Sequence, residues 1–249
     1  MILLADIGNS RVKWVTYDGG ESRPSAWLRA DRAESVELAC AQWQGLPRPD
    51  RVLIVSVAGL EARSALSEWI ERAWGIKVEF VVSTAAACGI QNAYAEPERL
   101  GADRWVALIA ARSLTQQACY VADCGTALTI DALAADGRHL GGVIVPGIQL
   151  MRQALYRETR QIPPEQGEPR LFGQSTRDCV WGGTLYAVAA AIDGITERMM
   201  AAGGSGIRFL TGGGAEAVSP YLLGAFRLEP NLLFDGLRVI AKQNPERQS

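Results

Sequence analysis

The chain has 249 residues, of which 48% are hydrophobic and 21% charged, with a formal net charge of -2. That length suits one large domain or two ordinary ones, and the apolar share supports a sizeable core. The slightly acidic balance leaves no basic footprint for nucleic acid or an anionic membrane, and no stretch is expected to span a bilayer.

Residues 2–15 open the chain with an apolar run, the turn Asp6-Ile7-Gly8-Asn9-Ser10-Arg11, and a second run through Val12, Lys13, Trp14 and Val15. The pattern reads as two strands joined by a tight glycine turn. Because Met1 leads directly into the first strand, no signal peptide is expected. Asp18-Gly19-Gly20 closes a second hairpin, and residues 21–30 follow as a further strand or a loop. Asp31 and Glu34 have the spacing of a capping box, which starts a helix running to about Trp43. Gly45 to Pro49 breaks that helix, and the continuous apolar run of 51–57 predicts a buried strand. A helix over 60–74 places Leu66, Trp69, Ile70 and Ala73 on one face, and 76–82 is the next strand. A hairpin followed by alternating strands and helices predicts a mixed sheet with helical crossovers. Residues 83–99 are polar and irregular, in the manner of functional loops. They lead to Gly101-Ala102-Asp103-Arg104, where a helix starts that reaches about Gln117.

The second half opens as the first did. Residues 118–131 give an apolar run, the turn Asp123-Cys124-Gly125-Thr126 and another apolar run. Aligning Asp6 with Asp123 superposes the glycines and sets Asn9 on Thr126. Gly137 marks a hairpin, 140–147 a strand leading into a helix at 148–158, and 159–175 an exposed loop. An alanine-rich helix at 175–202 is apolar on more than one side, through Val180, Leu185, Val188, Ala189, Ile192 and Met199. Such a helix suits deep burial or an oligomer contact. Residues 207–211 form a strand, Gly212-Gly213-Gly214-Ala215 a glycine turn at a helix start, and 232–242 a closing helix. The division is placed near residue 116, giving domains 1–116 and 117–249. Five cysteines, Cys40, Cys88, Cys119, Cys124 and Cys179, contain no C-x-x-C pair and read as buried thiols of a cytoplasmic protein. His139 is the only histidine, which excludes a multi-histidine metal centre and leaves it a structural role.

Phosphate gives the paired turns a physical reading. A glycine after the aspartate lets the backbone approach a polyphosphate and aim N–H groups at it. Asn9 or Thr126 adds a donor, Lys13 a mobile positive charge, and each aspartate can hold a hard cation directly or through water. Either turn alone is also an ordinary hairpin, where Asp, Gly, Asn and Ser are common; two in matching contexts favour the phosphate reading. Asp103, on a polar loop where a helix begins, suits a base that accepts a hydroxyl proton, and Arg104 offers a fork for a carboxylate. The plain alternative for this pair is a helix N-cap beside a surface arginine.

Taken together, these motifs resemble the type III pantothenate kinase family, within the actin/hexokinase/Hsp70 superfamily. The marks are Asp6-x-Gly8-Asn9-x-x-x-Lys13, Gly101-x-Asp103-Arg104, Asp123-x-Gly125-Thr126-Ala127, Gly141-Gly142-x-x-x-Pro146-Gly147 and Thr211-Gly212-Gly213-x-Ala215. They stand in family order over almost the whole chain. Ser10 departs from the frequent threonine, and Asn92-Ala93-Tyr94 from the Asn-Pro form of other branches. The resemblance implies an α/β fold of two ribonuclease H-like halves, each with a mixed sheet, and an ATP cleft between them. It implies transfer of the ATP γ-phosphoryl group to the primary hydroxyl of pantothenate, the first step of coenzyme A synthesis.

Residue by residue, the resemblance assigns ATP binding to Asp6, Ile7, Gly8, Asn9, Ser10, Arg11, Val12 and Lys13, to Gly125 and Thr126, and to Gly212 and Gly213. Asp103 matches the catalytic base, and Tyr94, Gly101, Ala102, Asp103 and Arg104 the pantothenate contacts. Asp123 matches the site of a monovalent cation, potassium or ammonium, and Asp6 a magnesium contact made through water. Thr176, in Gly173-Gln174-Ser175-Thr176, matches a threonine that reaches the substrate from the second subunit of a homodimer. By cap preference alone Thr176 is a plain N-cap, and Tyr94 is a loop aromatic packed on its domain. The rival readings are a regulatory relative without catalysis and another small-molecule kinase of the superfamily. The retained Asp6, Lys13, Asp103 and Asp123 speak against the first, and the Gly-x-Asp-Arg and Gly-Gln-x-Thr elements against the second.

Overall fold

The computed structural model describes residues 1–8, 12–18, 21–28, 32–57 and 59–243, with backbone alone for 21–28 and 32–35. Asn9, Ser10 and Arg11 of the first turn, the Gly19-Gly20 pair and Asp31 of the expected capping box lie outside the described residues.

Strands β1 (Ile2–Ile7) and β2 (Val12–Asp18) pair antiparallel, and β3 (Glu21–Leu28) continues antiparallel beyond β2. On its other side β1 pairs in parallel with β4 (Arg51–Ser56), and β4 with β5 (Glu79–Phe80), giving the order β3-β2-β1-β4-β5. Parallel neighbours need crossovers, which α1 (Arg32–Trp43) and α2 (Leu60–Trp74) supply. They cover one face with a core that includes Leu3, Ala5, Val12, Trp14, Trp43, Leu66 and Ile70. Within it four indoles, Trp14, Trp43, Trp69 and Trp74, pack with ring centroids from 5.1 to 6.4 Å apart. Trp43 is fully buried, and removing an indole of this kind costs about 3–5 kcal/mol.

The opposite face is covered by α3 (Ala102–Leu114) and α7 (Leu232–Gln243), where Val106, Phe234, Leu237 and Ala241 meet Leu4, Val15, Leu53 and Val55. The two helices pack closely: a Cβ at Gly236 would lie 2.2 Å from the Val106 carbonyl oxygen. Buried Arg51 donates to both carboxylate oxygens of Glu79 and to the Ala241 carbonyl, which fastens the end of α7 to the sheet edge. This corrects the expected division. Met1–Leu114 and Leu232–Ser249 form one compact unit, and Thr115–Asn231 the other. The closing helix returns to the first unit because its apolar stripe completes that unit's second face.

The second unit repeats the first. Its strands β8 (Cys119–Cys124), β9 (Ala127–Leu133), β10 (His139–Pro146), β11 (Ile207–Thr211) and β12 (Arg227–Leu228) take the order β10-β9-β8-β11-β12. The antiparallel and parallel pairings fall where they do in the first sheet. Helix α4 (Ile148–Glu158) packs beside α5 (Thr176–Gly203), and the short α6 (Ala215–Val218) follows β11. By length and composition α5 could cross a membrane, against the expectation that no stretch would. Its Val180, Leu185, Val188, Ala189 and Ile192 are buried, and the last four fill the unit's own core against Ala122, Leu128, Ile130 and Leu210. The apolar surface expected to be in excess is therefore consumed within the chain.

Other departures have local causes. Of the strand expected over 76–82 only Glu79 and Phe80 pair, because at the sheet edge only Leu53 and Ile54 face them. The loop at 83–99 contains a small hairpin of β6 (Ala86–Ala87) and β7 (Ile90–Gln91), turned by Cys88 and Gly89 with φ of 52° and 79°. Helix α3 stops at Leu114, where the Gln117 N–H turns to the Thr115 hydroxyl. Cys40, Cys119 and Cys124 are buried as expected, whereas Cys88 is half-buried and Cys179 exposed. His139 bonds Asp131 at 2.9 Å, both side chains buried between β9 and β10.

Candidate active site

In the first unit Asp6, Ile7 and Gly8 stand at the carboxyl end of β1, beside the parallel end of β4, where Val57 N–H donates to the Ile7 carbonyl. Carboxyl ends of parallel strands are where open α/β sheets bind ligands. The hairpin register sets Asp6 opposite Lys13 and Ile7 opposite Val12. Directly paired residues share a face, so a carboxylate and an ammonium group stand together at this end, both half-buried.

The corresponding end of the second unit joins two turns. Asp123, one residue before the end of β8, is in register with Thr211, the last residue of β11. Gly212 follows with φ of 92°, and a Cβ there would lie 2.2 Å from Asp123 Oδ1. Only glycine allows both the conformation and the contact. Gly125 and Thr126 are exposed at the β8–β9 bend, and Gly213, the residue after Gly212, is exposed as well. Two further glycines shape this end. Gly147 N–H donates to the Thr126 carbonyl, and Gly214 N–H to the Cys124 carbonyl. A Cβ on Gly147 would meet the Thr126 oxygen at 2.4 Å. The sequence reads Pro146-Gly147 as the end of a strand entering a helix and the triple glycine as a turn, without showing that both close on the same bend. Burial, and then the Asp123 charge, push the Cys124 thiol up to about 12.

The third group lies in the first unit, in the loop before α3 and the first turn of that helix. Asp103 occupies the first turn of α3 and its Oδ1 accepts the Arg104 backbone N–H at 2.8 Å. A Cβ on Gly101 would lie 2.6 Å from that same oxygen, so the glycine leaves room for the carboxylate. Arg104 is buried, and its Nη1 donates to the Tyr94 hydroxyl at 3.0 Å with the guanidinium 5.8 Å from the ring centroid. A surface arginine is thereby ruled out for this pair. Ala102, between Gly101 and Asp103, starts the helix. The loop and the first turn of α3 thus gather Tyr94, Gly101, Asp103 and Arg104 into one cluster.

Thr176 stands in the first turn of α5 and is exposed. The N-cap is Ser175, whose hydroxyl accepts the Asp178 N–H at 3.2 Å. The plain capping role belongs to the neighbour, so Thr176 carries its hydroxyl free of that duty.

Comparison with known proteins bears on these three groups. The sequence pattern of the type III pantothenate kinase family matches residues 2–198. A Dechloromonas aromatica protein described as a type III pantothenate kinase is 39% identical over 246 residues, covering 97% of this chain and 99% of its own. Among solved structures, a Campylobacter jejuni protein provisionally assigned to a Baf family of transcriptional activators superposes with a TM-score of 0.59 at 22% identity, over 98% of both chains. An archaeal actin homologue does so with a TM-score of 0.51 at 13% identity, over 97% of this chain and 99% of its own. At those identities the structural likeness speaks for the fold alone.

Proposed function

The chain belongs to the type III pantothenate kinase family, and from that premise we infer that its glycine turns hold the phosphates of ATP while Asp103 takes the proton of the pantothenate hydroxyl. Its function is phosphorylation of pantothenate at the primary hydroxyl, giving 4'-phosphopantothenate and opening coenzyme A synthesis. The assignment of roles is carried by the cluster of Gly101, Asp103, Arg104 and Tyr94, in which a carboxylate and a braced guanidinium begin one helix.

Phosphoryl transfer asks mainly for positioning and charge neutralisation. Backbone N–H groups at the Asp6–Lys13 turn and at Gly125, Thr126, Gly212 and Gly213 meet the first need, and Lys13 contributes to the second. Arg104 holds the pantothenate carboxylate with its fork, Tyr94 steadies that fork, and Asp103 accepts the hydroxyl proton as the phosphoryl group leaves ATP. Among the described residues no three His, Cys, Asp or Glu side chains converge as a metal cage. Asp6, half-buried at the carboxyl end of β1, would be the protein contact of a magnesium ion held chiefly by phosphates and water. When bound, the ion neutralises charge on the terminal phosphates. Asp123, half-buried against Gly212, takes a monovalent cation beside the second turn. Exposed Thr176, relieved of capping, reaches the pantothenate of a second copy, so the enzyme works as a homodimer.

ADP release with pantothenate, a panel of hydroxy acids and sugars, and sodium, potassium or ammonium at equal ionic strength tests this reading. Rapid release is expected with pantothenate in potassium or ammonium, slow release in sodium, and no such difference in Asp123→Ala. Equal rates across the panel would sink the substrate, and equal rates in all three salts the cation site.

A further inference from the structure

Asn92 sits in the loop between β5 and α3 and uses its whole side-chain amide there. Nδ2 donates to the carbonyl oxygens of Thr84 at 3.2 Å and Pro97 at 3.1 Å, and Oδ1 accepts the Tyr94 backbone N–H at 3.0 Å. Two acceptors on one side and a donor on the other fix which way the amide points. Thr84 stands near the start of the loop, and Pro97 opens the 3-10 turn that runs to Arg99, just ahead of Leu100 and Gly101. One side chain therefore ties the start, middle and end of the segment together. The small hairpin delivers it: Asn92 N–H donates to the Ala85 carbonyl, one step beyond the Ala86–Gln91 pair. Buried Ser83 adds a brace at the base, its hydroxyl donating to the Leu100 carbonyl at 2.8 Å.

We propose that Asn92 is a positioning residue for pantothenate binding, acting through Tyr94 to hold the Arg104 fork ready for the substrate carboxylate. The inference rests on the reading of Tyr94 and Arg104 as pantothenate contacts. The bond from Asn92 Oδ1 to the Tyr94 N–H is a local turn that sets the tyrosine backbone. The two Nδ2 bonds hold that turn against both sides of the loop, and with it the Tyr94 hydroxyl against Arg104. Preorganisation of this kind lowers the cost of ordering the loop on binding.

The test measures kcat and both KM values for Asn92→Ala, Tyr94→Ala, the double variant and Arg104→Ala, with thermal unfolding of each. Asn92→Ala is expected to raise the pantothenate KM by ~10-fold or more, since displacements of roughly an ångström weigh heavily on positioned groups. The ATP KM should stay within about twofold, and the double variant within about twofold of Tyr94→Ala, because effects that share one route do not add. A residue that merely supports the fold would move both KM values together. If Asn92→Ala does not fold, Asn92→Asp, which keeps the acceptor for Tyr94 but loses both donors, carries the same expectation. A pantothenate KM within about twofold of wild type, a parallel rise in the ATP KM, or additive effects of Asn92 and Tyr94 overturns the proposal. Arg104→Ala separates it from the reading beneath. If that variant leaves the pantothenate KM unchanged, the loop does not bind pantothenate and both fall. If it raises that KM while Asn92→Ala does not, only the positioning role falls.

Discussion

The absence of a side chain at Gly101 leaves the Asp103 carboxylate in place, since a Cβ would lie 2.6 Å from its Oδ1 and push it aside. The motif made Gly101, Asp103 and Arg104 legible in the sequence, since they are neighbours in the chain. The bond between Arg104 and Tyr94 was not legible, because it depends on a hairpin just before Tyr94 and a 3-10 turn just after it, and neither leaves a clear pattern. Cys124, between two site residues, offers a test at the same scale. Its thiol is held near 12 against an ordinary 9.0, first by burial and then by the Asp123 charge. A folded pKa raised in this way means that the folded chain keeps a proton which the unfolded chain gives up. The contribution is whole below about pH 9 and is lost as pH rises towards about 12, by up to about 1.4 kcal/mol per pH unit. Denaturant unfolding of the whole chain from roughly pH 8 to 11 should lose stability less steeply in Cys124→Ala. Equal slopes would contradict the burial of an un-ionised thiol at that turn.

Among the elements, the helices at 60–74 and 148–158 were legible to the residue. Each has a glycine N-cap, and the first ends at Gly75 in the left-handed conformation. The hairpin at 86–91 was hidden because its strands have two residues each and its turn is Cys88-Gly89, not the usual Asn-Gly. The glycine turn after β11 was legible as a turn, and its purpose follows from the adjacent strand. Gly212 combines a φ of 92° with a side-chain position occupied by Asp123. Gly212→Ala is therefore expected to cost about 1–3 kcal/mol of stability. It should also raise the ATP KM by at least ~10-fold, while the pantothenate KM changes little. Unchanged ATP affinity in the folded variant would remove this turn from the nucleotide site.

At the scale of the molecule, the paired Asp-x-Gly turns announced a repeat, and the repeat extends to the strand order of both sheets. The return of α7 to the first unit was not legible, since chain order does not reveal which core an amphipathic helix completes. The first reason for expecting a dimer, spare apolar surface on α5, is gone, because Leu185, Val188, Ala189 and Ile192 lie in that unit's core. Thr176 now carries the proposal, with Leu171 and Phe172 exposed just before it at 65% and 85%. If each site joins Asp103 of one chain to Thr176 of another, two inactive variants should complement. Mixing Asp103→Asn with Thr176→Arg under subunit exchange makes half the dimers mixed, each with one intact site, so activity returns to roughly a quarter of wild type. No recovery despite confirmed exchange would place the whole pocket in one chain.

The role of Asp103 is the claim on which the mechanism turns, and one comparison tests it directly. Turnover of pantothenate by Asp103→Asn and by the wild-type chain is measured at saturating ATP and pantothenate, with thermal unfolding alongside. A loss of at least ~10²-fold in kcat at little change in melting temperature is predicted for removal of a positioned base. A variant that turns over within about threefold of wild type, far short of that loss, would contradict it.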